Sequence, residues 1–343
     1  MNPMSDQPIH LLMTVSFPQP LLDRLRAVSP RLKIHGFPAR EAEALPEELL
    51  PEIEILYTIS ALPDPELVPN LRWVQLHFAG ADHLLGHPLL SKEDLTVTTM
   101  SGASAPQMAE FALMCMLALG HRLPRFTRGT PAERWSDDRY VRFQPLELRS
   151  STVGIVGYGS VGREVARLCH AFGAQVLAVK HDLRHLEDDG YLMEGLGDPL
   201  ADIPQRIYPP QALKSMASLC DFLVITVPLT GETQGLVDEA VFQAMPPHAY
   251  LVDISRGGVV DHGALVEALS NELIAGAALD VYPIEPLPES SPLWKRENVI
   301  LSPHLAGASP HYFERAADLF AANLQRYLSG RPLLNIFDPT RGY

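Results

Sequence analysis

The sequence has little that would hold a metal ion, cross a membrane or bind nucleic acid. Its three cysteines, Cys115, Cys169 and Cys220, show no metal-ligand or C-x-x-C spacing, which favours buried free thiols in a reducing compartment. The longest apolar run, FALMCMLALG, is too short to span a bilayer. Only 27 basic residues stand against 41 acidic ones, and the resulting net charge of −14 disfavours nucleic acid and anionic membranes as partners.

The first residues, MNPMSDQPIHLLMTV, also lack the basic region that precedes the apolar core of a signal peptide, so we expect no secretory leader and a cytoplasmic protein. What the chain does have is the composition of an ordinary globular protein, 46% hydrophobic and 20% charged. At 343 residues it exceeds the size at which one hydrophobic core keeps growing. We therefore expect two domains.

Short apolar runs alternate with helix-like segments and predict an α/β protein with parallel sheets covered on both faces. The predicted strands are HLLMTV, EILYTI, LRWVQLHF and LTVTTM in the first hundred residues, then TVGIVGYG, AQVLAVK, DFLVITV, AYLVDIS, IAGAALDV and NVILSP. Residues 105–121 predict one long buried helix, and residues 310–329 predict the last helix. Residues 186–210, with four prolines, predict an irregular segment, which we name the insertion.

The stretch VGIVGYGSVGREVARL has the G-x-G-x-x-G spacing of a turn that binds dinucleotide phosphates. Gly157 permits the tight turn, Gly159 lets the backbone approach a pyrophosphate, and Gly162 allows the helix to pack closely on the strand. The helix that follows offers free N–H groups and the positive end of its dipole. The motif alone is weak, but its place between an apolar strand and an amphipathic helix predicts a dinucleotide site.

Three further residues, Arg256, Glu285 and His304, each follow a predicted strand, where open parallel sheets bind ligands. Each has an ordinary structural explanation as well: a solvated arginine at a helix start, a glutamate in a proline-rich surface loop, and a structural histidine. Their joint position at the strand ends of one sheet that carries a dinucleotide turn favours a catalytic role.

Two long stretches, VPLTGETQGLVDEAVFQAMPPHAYLVDISRGGVVDHGALVEAL and SPLWKRENVILSPHLAG, resemble signatures of the D-isomer-specific 2-hydroxyacid dehydrogenases, which include glyoxylate/hydroxypyruvate reductases. The resemblance covers most of the chain and is densest over residues 153–308. It implies two Rossmann-like or flavodoxin-like domains with the active site in the cleft between them. Residues 1–104 and 309–343 would form a discontinuous substrate-binding domain, and residues 105–308 the dinucleotide-binding domain.

The resemblance makes Arg256, Glu285 and His304 the catalytic residues of a reaction that interconverts a small 2-keto acid and its D-2-hydroxy acid, in the reductase direction. The chemistry of the side chains agrees with these roles. An arginine can form paired charge-assisted hydrogen bonds to the substrate. A histidine can donate the proton as the carbonyl becomes an alkoxide, and a glutamate on its other ring nitrogen would orient the ring and stabilise its protonated form.

The resemblance also assigns binding residues. The segment HFAGADHL resembles the family's substrate loop, whose backbone N–H groups could bind a carboxylate. The substrate-binding residues would be Phe78, Ala79, Gly80, Ala81, Arg256 and His304. The cofactor-binding residues would be Gly157, Tyr158, Gly159, Ser160, Val161, Gly162, Lys180, His181, Arg184, Val227, Pro228, Thr233, Ile254, Ser255, Arg256, Asp280, His304 and Gly307. Family members dimerise through the region of the long apolar helix and the polar residues 127–140, which predicts a homodimer.

A basic group stands where an NAD-binding fold usually places a carboxylate on the adenosine ribose. Lys180 lies 18 residues after Gly162, close to the usual spacing of about 20. With His181 and Arg184 it could surround a 2′-phosphate, so we expect NADP(H) to be favoured over NAD(H). The alternatives are a solvated basic turn, or a shift of two positions that would bring Asp182 to the ribose and favour NAD.

Two other functions fit the same motifs. The family includes NAD-binding corepressors, which would make this chain a regulatory module. It also includes members that act on other anions, namely formate, phosphite and 3-phosphoglycerate, and a motif alone does not separate these substrates. The substrate side chain is not specified by the sequence.

Overall fold

The computed structural model describes residues 7–343, apart from the side chain of His83. Residues 1–6, which begin the segment inspected for a secretory leader, lie outside the described residues. The chain divides into two compact units. The first unit is the described part of Met1–Ala103 together with Ser309–Tyr343, and the second unit is Ser104–Ala308.

The strands and α-helices are numbered along the chain. They are β1 (Ile9–Met13), α1 (Gln19–Arg26), β2 (Leu32–Gly36), β3 (Ile53–Thr58), β4 (Trp73–Leu76), β5 (Thr96–Thr98), α2 (Ala105–Gly120), α3 (Leu123–Arg128), α4 (Pro131–Arg134), α5 (Arg139–Arg142), β6 (Thr152–Val156), α6 (Ser160–Ala171), β7 (Gln175–Val179), β8 (Arg206–Tyr208), α7 (Leu213–Ala217), β9 (Phe222–Ile225), α8 (Glu239–Ala244), β10 (Tyr250–Asp253), α9 (His262–Ser270), β11 (Gly276–Leu279), β12 (Val299–Leu301) and α10 (Tyr312–Leu328).

The first unit contains a five-stranded parallel sheet in the order β2-β1-β3-β4-β5. This is the flavodoxin-like order. The central strands β3 and β4 are almost wholly buried because helices and short turns cover both faces, and they are correspondingly apolar. On one face, Phe320 of α10 packs edge-on against Tyr57 at 4.8 Å between ring centroids and lies 5.3 Å from Trp73.

The second unit contains a seven-stranded parallel sheet in the order β12-β11-β10-β9-β6-β7-β8. Read from β6, this is the Rossmann order extended by one strand, which confirms the predicted fold class. The chain runs from β6 outwards through β7 and β8, then returns to the other side of β6 at β9. The strand order therefore reverses beside β6, and open sheets bind ligands at such a point, outside the carboxyl ends of the strands.

The long apolar helix predicted over residues 105–121 is confirmed as α2, which packs on α6 and against β10. Two strands were not predicted, β2 and β8. The expectation that the whole insertion is irregular is wrong at its end, where Arg206–Tyr208 pairs with β7. Within the described residues, no helix combines the length and the apolar character that crossing a membrane requires.

Candidate functional site

The turn between β6 and α6 has the backbone that its glycines predict. Gly157 has a φ of +103°, in the region that side chains other than glycine rarely adopt. Gly162 cannot carry a side chain, because a Cβ there would lie 2.0 Å from the carbonyl oxygen of Gly157. A Cβ on Gly159 would meet no atom within 4 Å, so the turn is open on that side. An open glycine turn at the start of α6 (Ser160–Ala171) fits a dinucleotide phosphate.

The side chain of Tyr158, inside this turn, points away from the open face. It is buried, and its hydroxyl donates to Oδ2 of Asp198 in the insertion at 2.5 Å. Thr226, after β9, holds the turn from the sheet side by donating to the carbonyl oxygen of Gly157 at 2.8 Å. The predicted contacts Val227 and Pro228 follow directly, and Thr233 closes their loop by donating to the carbonyl oxygen of Pro228 at 2.6 Å.

Lys180 directly follows β7 and is half-buried, with its N–H bonded to the carbonyl oxygen of Tyr208. Burial lowers the pKa of Lys180, and the Arg163 guanidinium lowers it further. The carboxylates of Asp188, Asp182 and Asp189 lie close enough to act in the opposite direction. Lys180 thus lies at the end of β7 with acidic groups around it, and its place at the adenosine end of a cofactor stays a prediction.

The two other predicted basic residues are not drawn toward Lys180. Nε2 of His181 lies 3.3 Å from Oε2 of Glu232, and Arg184 is exposed. Asp182, the alternative ribose partner, is engaged in its own turn. Its carboxylate binds Nδ1 of His185 at 2.8 Å and accepts from the N–H of Arg184, and these two bonds lower its pKa to about 2.

Arg256 lies three residues beyond β10, and its Nη1 donates to the carbonyl oxygen of Ser255 at 2.9 Å. The predicted contacts Ile254 and Ser255 are buried beside it. Asp253, at the end of the strand, supports this loop: its Oδ1 accepts from the N–H of Ser255 at 3.0 Å and from the Ser255 hydroxyl at 2.5 Å. Gly257 allows this loop to lie directly against the backbone at Tyr282, since a Cβ at position 257 would be 1.8 Å from the carbonyl oxygen of Tyr282.

Glu285 and His304 form a hydrogen-bonded pair. Nδ1 of His304 lies 2.8 Å from Oε2 of Glu285, and because a carboxylate can only accept, Nδ1 is the donor. The other carboxylate oxygen accepts from the N–H of Tyr282 at 3.1 Å. This leaves Nε2 of His304 as the ring nitrogen for a substrate.

Asp280 fixes the turn that carries the histidine. His304 has a φ of +54°, which is strained for a histidine. The next two N–H groups, of Leu305 and Ala306, donate to the Asp280 carboxylate at 2.7 and 2.9 Å, and the Ser302 hydroxyl donates to it as well. The predicted contact Gly307 ends the turn, with its carbonyl oxygen bonded to Gln107 at 2.8 Å.

The predicted substrate loop follows β4 in the first unit. Phe78 is 45% exposed, while Ala81 is buried. Within the part of the chain that the structure describes, the N–H groups of Ala79, Gly80 and Ala81 donate no hydrogen bond. They are thus available to an anion, as a carboxylate-binding loop requires.

A neutral histidine supports this loop from below. His77 is buried, its Nδ1 lies 2.6 Å from the Tyr57 hydroxyl, and burial lowers its pKa to about 4. Its carbonyl oxygen accepts from the Tyr312 hydroxyl of α10. The residue that precedes the loop is therefore held by hydrogen bonds to the hydroxyls of Tyr57 and Tyr312 and carries no charge.

Sequence reasoning missed the residues that hold the site residues in place: Asp253, Gly257, His77 and, in the insertion, Asp198. Asp253 left a signal, because an acidic residue closing an apolar strand (YLVD) is unusual in a buried position. The others left none, because their contacts join residues that are 20 or more positions apart along the chain. No cluster of three or more histidine, cysteine or acidic side chains arranged for a metal ion occurs in residues 7–343, with His83 left out.

Comparison with known proteins agrees with this geometry. Residues 113–306 match the model of the D-isomer specific 2-hydroxyacid dehydrogenase NAD binding domain. A glyoxylate reductase of Thermofilum pendens is 34% identical over 293 residues, which cover 83% of this chain and 82% of that protein.

Two solved structures are similar over nearly the whole chain. A D-isomer specific 2-hydroxyacid dehydrogenase from Xanthobacter autotrophicus Py2, in complex with NADPH and MES, has a TM-score of 0.77 and 29% identity, and the match covers 98% of this chain and 100% of that one. An NADPH-dependent glyoxylate/hydroxypyruvate reductase from Sinorhizobium meliloti, in complex with NADP and malonate, has a TM-score of 0.69 and 27% identity, covering 98% of both chains.

A Rossmann sheet with an open glycine turn, and an arginine and a glutamate–histidine pair beyond its strand ends, define a nicotinamide-dinucleotide-dependent oxidoreductase. The family match specifies it further. The chain belongs to the D-isomer specific 2-hydroxyacid dehydrogenases.

Proposed function

We propose that this protein reduces a small 2-keto acid, of the glyoxylate or hydroxypyruvate type, to its D-2-hydroxy acid with NADPH. The observation that carries the proposal is the pair of Glu285 and His304, joined at 2.8 Å beyond the strand ends of a sheet with a dinucleotide turn. The names of the relatives support the substrate class, since both the Thermofilum pendens and the Sinorhizobium meliloti proteins are glyoxylate-type reductases.

In the proposed reaction the reduced nicotinamide supplies a hydride to the keto carbon. His304 donates the proton from Nε2 to the carbonyl oxygen, and Glu285 holds the ring in place through Nδ1. In the reverse direction the same nitrogen accepts the proton of the hydroxyl group.

The substrate anion would be held by Arg256 and by the N–H groups of the loop at Ala79, Gly80 and Ala81. The planar guanidinium can bind a carboxylate oxygen and the keto oxygen together, which fixes the carbonyl in one orientation. Asp253 and Gly257 keep the backbone that carries Arg256 in place. Phe78, exposed on the substrate loop, would border the substrate side chain.

A panel of substrates tests this function. We expect glyoxylate and hydroxypyruvate to oxidise NADPH in the presence of the wild-type chain, and Arg256→Lys, which keeps the charge but loses the planar fork, to reduce kcat/KM at least tenfold. Formate, phosphite and 3-phosphoglycerate are assayed in the same series with NADP⁺ and NAD⁺. If only one of these three compounds is turned over, that compound and not a keto acid is the substrate. NADPH binding without any turnover would favour a regulatory module.

Three observations support the preference for NADPH. Lys180 follows the end of β7, where the adenosine ribose lies in this fold, and Asp182 is engaged in its own turn. Both similar structures described above hold NADPH or NADP. The acidic groups near Lys180 oppose a 2′-phosphate, so we expect a moderate preference rather than exclusive use of NADPH.

Replacing Lys180 with aspartate should reverse this preference. We expect kcat/KM for NADPH to fall at least tenfold while that for NADH is retained, because the new carboxylate would repel the phosphate and accept bonds from ribose hydroxyls. Lys214→Asp makes the same charge change at an exposed lysine of α7 and should leave the ratio unchanged. A wild type that uses NADH better than NADPH would contradict the preference.

We also propose that the chain forms a homodimer through the segment that follows α2. Trp135 and Tyr140 are 77% and 78% exposed, and Val141 is 76% exposed. Large apolar side chains so exposed in one short segment mark an interaction surface.

Light scattering at micromolar concentration should give about twice 37.8 kDa, and Trp135→Asp should shift the mass toward the monomer. Leu219→Asp, at another exposed apolar residue, is the control. A monomeric wild type would contradict the proposal.

A further inference from the structure

The insertion is joined to the dinucleotide turn and to α6 through a buried polar network. Arg163, in the first turns of α6, is 1% exposed. Its guanidinium donates to the carbonyl oxygens of Leu186 and Asp198, both in the insertion, and its Nε faces the carboxylate of Asp188 at 3.4 Å. A buried charge is costly unless it is paired, and here the insertion provides the partners.

A second connection lies one residue along the helix. Glu164 is buried and accepts from the N–H of Gly197 in the insertion at 2.7 Å, while Arg167 binds both of its carboxylate oxygens at 2.6 and 2.8 Å. Gly197 has a φ of +68°, and a Cβ there would lie 2.8 Å from the Leu192 side chain. The insertion is thus shaped to reach α6 through its backbone.

The third connection leads into the turn itself. The Tyr158 hydroxyl donates to Asp198 at 2.5 Å, and the Arg163 guanidinium lies 4.9 Å from the centre of the Tyr158 ring. Burial and the bond to Asp198 raise the pKa of Tyr158 well above its usual range, so the phenol keeps its proton. Asp198 in turn accepts from the N–H groups of Asp202 and Ile203, which fixes the carboxylate.

These contacts restrict the backbone freedom of the glycine turn. Glycines at positions 157, 159 and 162 give the backbone the shape that phosphates need, but glycine has the largest backbone freedom to lose. A turn that must become ordered on binding loses affinity, and one that is ordered beforehand does not. Tyr158 is the residue between the first two glycines, so an anchor on its side chain restrains the part of the turn with the most freedom.

We propose that the insertion is a positioning element of the dinucleotide site, which pre-orders the glycine turn through Tyr158 and Arg163 and thereby sets the affinity for the dinucleotide. Tyr158 acts through the turn backbone, since its own side chain is buried under the insertion. This inference rests on the proposed dinucleotide site and adds the insertion to it.

The test compares Tyr158→Phe with Tyr250→Phe in the full chain. Tyr250 is also a buried tyrosine of the second unit. It lies at the amino end of β10, whereas the glycine turn lies at the carboxyl ends of the strands. In titrations followed by NADPH fluorescence, Tyr158→Phe should raise the Kd at least fivefold, with kcat at saturating NADPH within twofold of wild type. Tyr250→Phe should bind as the wild type does.

Hydrogen–deuterium exchange separates pre-ordering from a general loss of stability. In the free protein, Tyr158→Phe should exchange faster than wild type in the peptide covering residues 157–163, and the difference should vanish with saturating NADPH. Equal NADPH affinity in the two tyrosine variants, or a loss of kcat and of thermal stability in parallel with affinity, would overturn the inference. A wild type that binds neither NADPH nor NADH would instead contradict the proposed function.

Discussion

Replacing His304 with alanine should lower kcat for keto acid reduction by about 10²–10⁴ while NADPH binding survives. This is the usual contribution of general acid–base catalysis. The reason is geometric: Glu285 binds Nδ1, which leaves Nε2 for the proposed proton transfer, and the turn that carries His304 is held through backbone N–H groups by Asp280. Removing the imidazole takes away the proton donor but leaves that turn bonded.

A matched control is present in the same unit. Nε2 of His248 lies 2.8 Å from Oδ1 of Asp221, so this is also an exposed histidine paired with a carboxylate. The pair lies at the amino ends of β9 and β10, whereas His304 lies beyond a carboxyl end. His248→Ala should retain kcat within twofold. Stopped-flow measurement of the single turnover compares the two variants, and near-native turnover in His304→Ala at neutral pH would refute the assignment.

The second large effect concerns stability at Asp253. This carboxyl is 0% exposed, and Oδ2 has no hydrogen-bond partner among the described residues. Burial raises its pKa to about 7, the two bonds from Ser255 act in the opposite direction, and Asp280 on the neighbouring strand adds to the rise. Burial raises the pKa of Tyr282 to about 12, and the nearby carboxylates, Asp253 among them, add to the rise.

The sign of the pH dependence follows from these pKa values. Unfolded Asp253 loses its proton near pH 4 and the folded one near pH 7, so between these values the folded state binds more protons and its stability falls as the pH rises. The penalty is complete above pH 7 and is on the order of 4 kcal/mol. Asp253→Asn cannot ionise, so its stability relative to wild type should increase by about 2 kcal/mol between pH 5.5 and pH 8.

Urea unfolding at several pH values measures this difference. The slope with pH is the decisive quantity, because the new amide has its own packing cost at every pH. Asp338→Asn is the control: the bonds from Thr340 lower the pKa of this half-exposed carboxyl, and its partners are Thr340 and Arg341 rather than a histidine, so its contribution should not change over that range. A constant difference between Asp253→Asn and wild type would show that Asp253 does not titrate there.

Most strands were predictable from sequence because they are buried on both faces and read as continuous apolar runs. The two that were missed, β2 and β8, each lie at one edge of their sheet, whereas the strands at the other edges, β5 and β12, were predicted. In β2 (LKIHG) only the first residue is buried, and β8 (RIY) has three residues after a proline-rich segment. Edge position allows charged residues and few buried ones, and in β2 and β8 this removes the apolar pattern on which the prediction depends.

The position of a side chain beyond a strand end was predictable from sequence, as with Arg256, Glu285 and His304, and the catalytic roles of these residues stay proposals. The supporting contacts were not. Arg163 reaches carbonyl oxygens 23 and 35 residues away, and any residue provides a carbonyl, so sequence holds no sign of these bonds. His181 and Arg184 were grouped with Lys180 by their nearness along the chain, which gave no sign that His181 lies 3.3 Å from Glu232 or that Arg184 is exposed.

The order of synthesis imposes a delay on the first unit. Its strands are made within the first hundred residues, whereas α10, which covers Tyr57 and Trp73, is made last. Tyr327 of this helix binds Glu54 across 273 residues, and Tyr312 binds the carbonyl of His77 across 235. The second unit is one continuous segment, so its sheet can form before α10 has been synthesised and can cover the aromatic face of the first unit. On the ribosome, the dinucleotide-binding unit can therefore fold before α10 supports the predicted substrate loop.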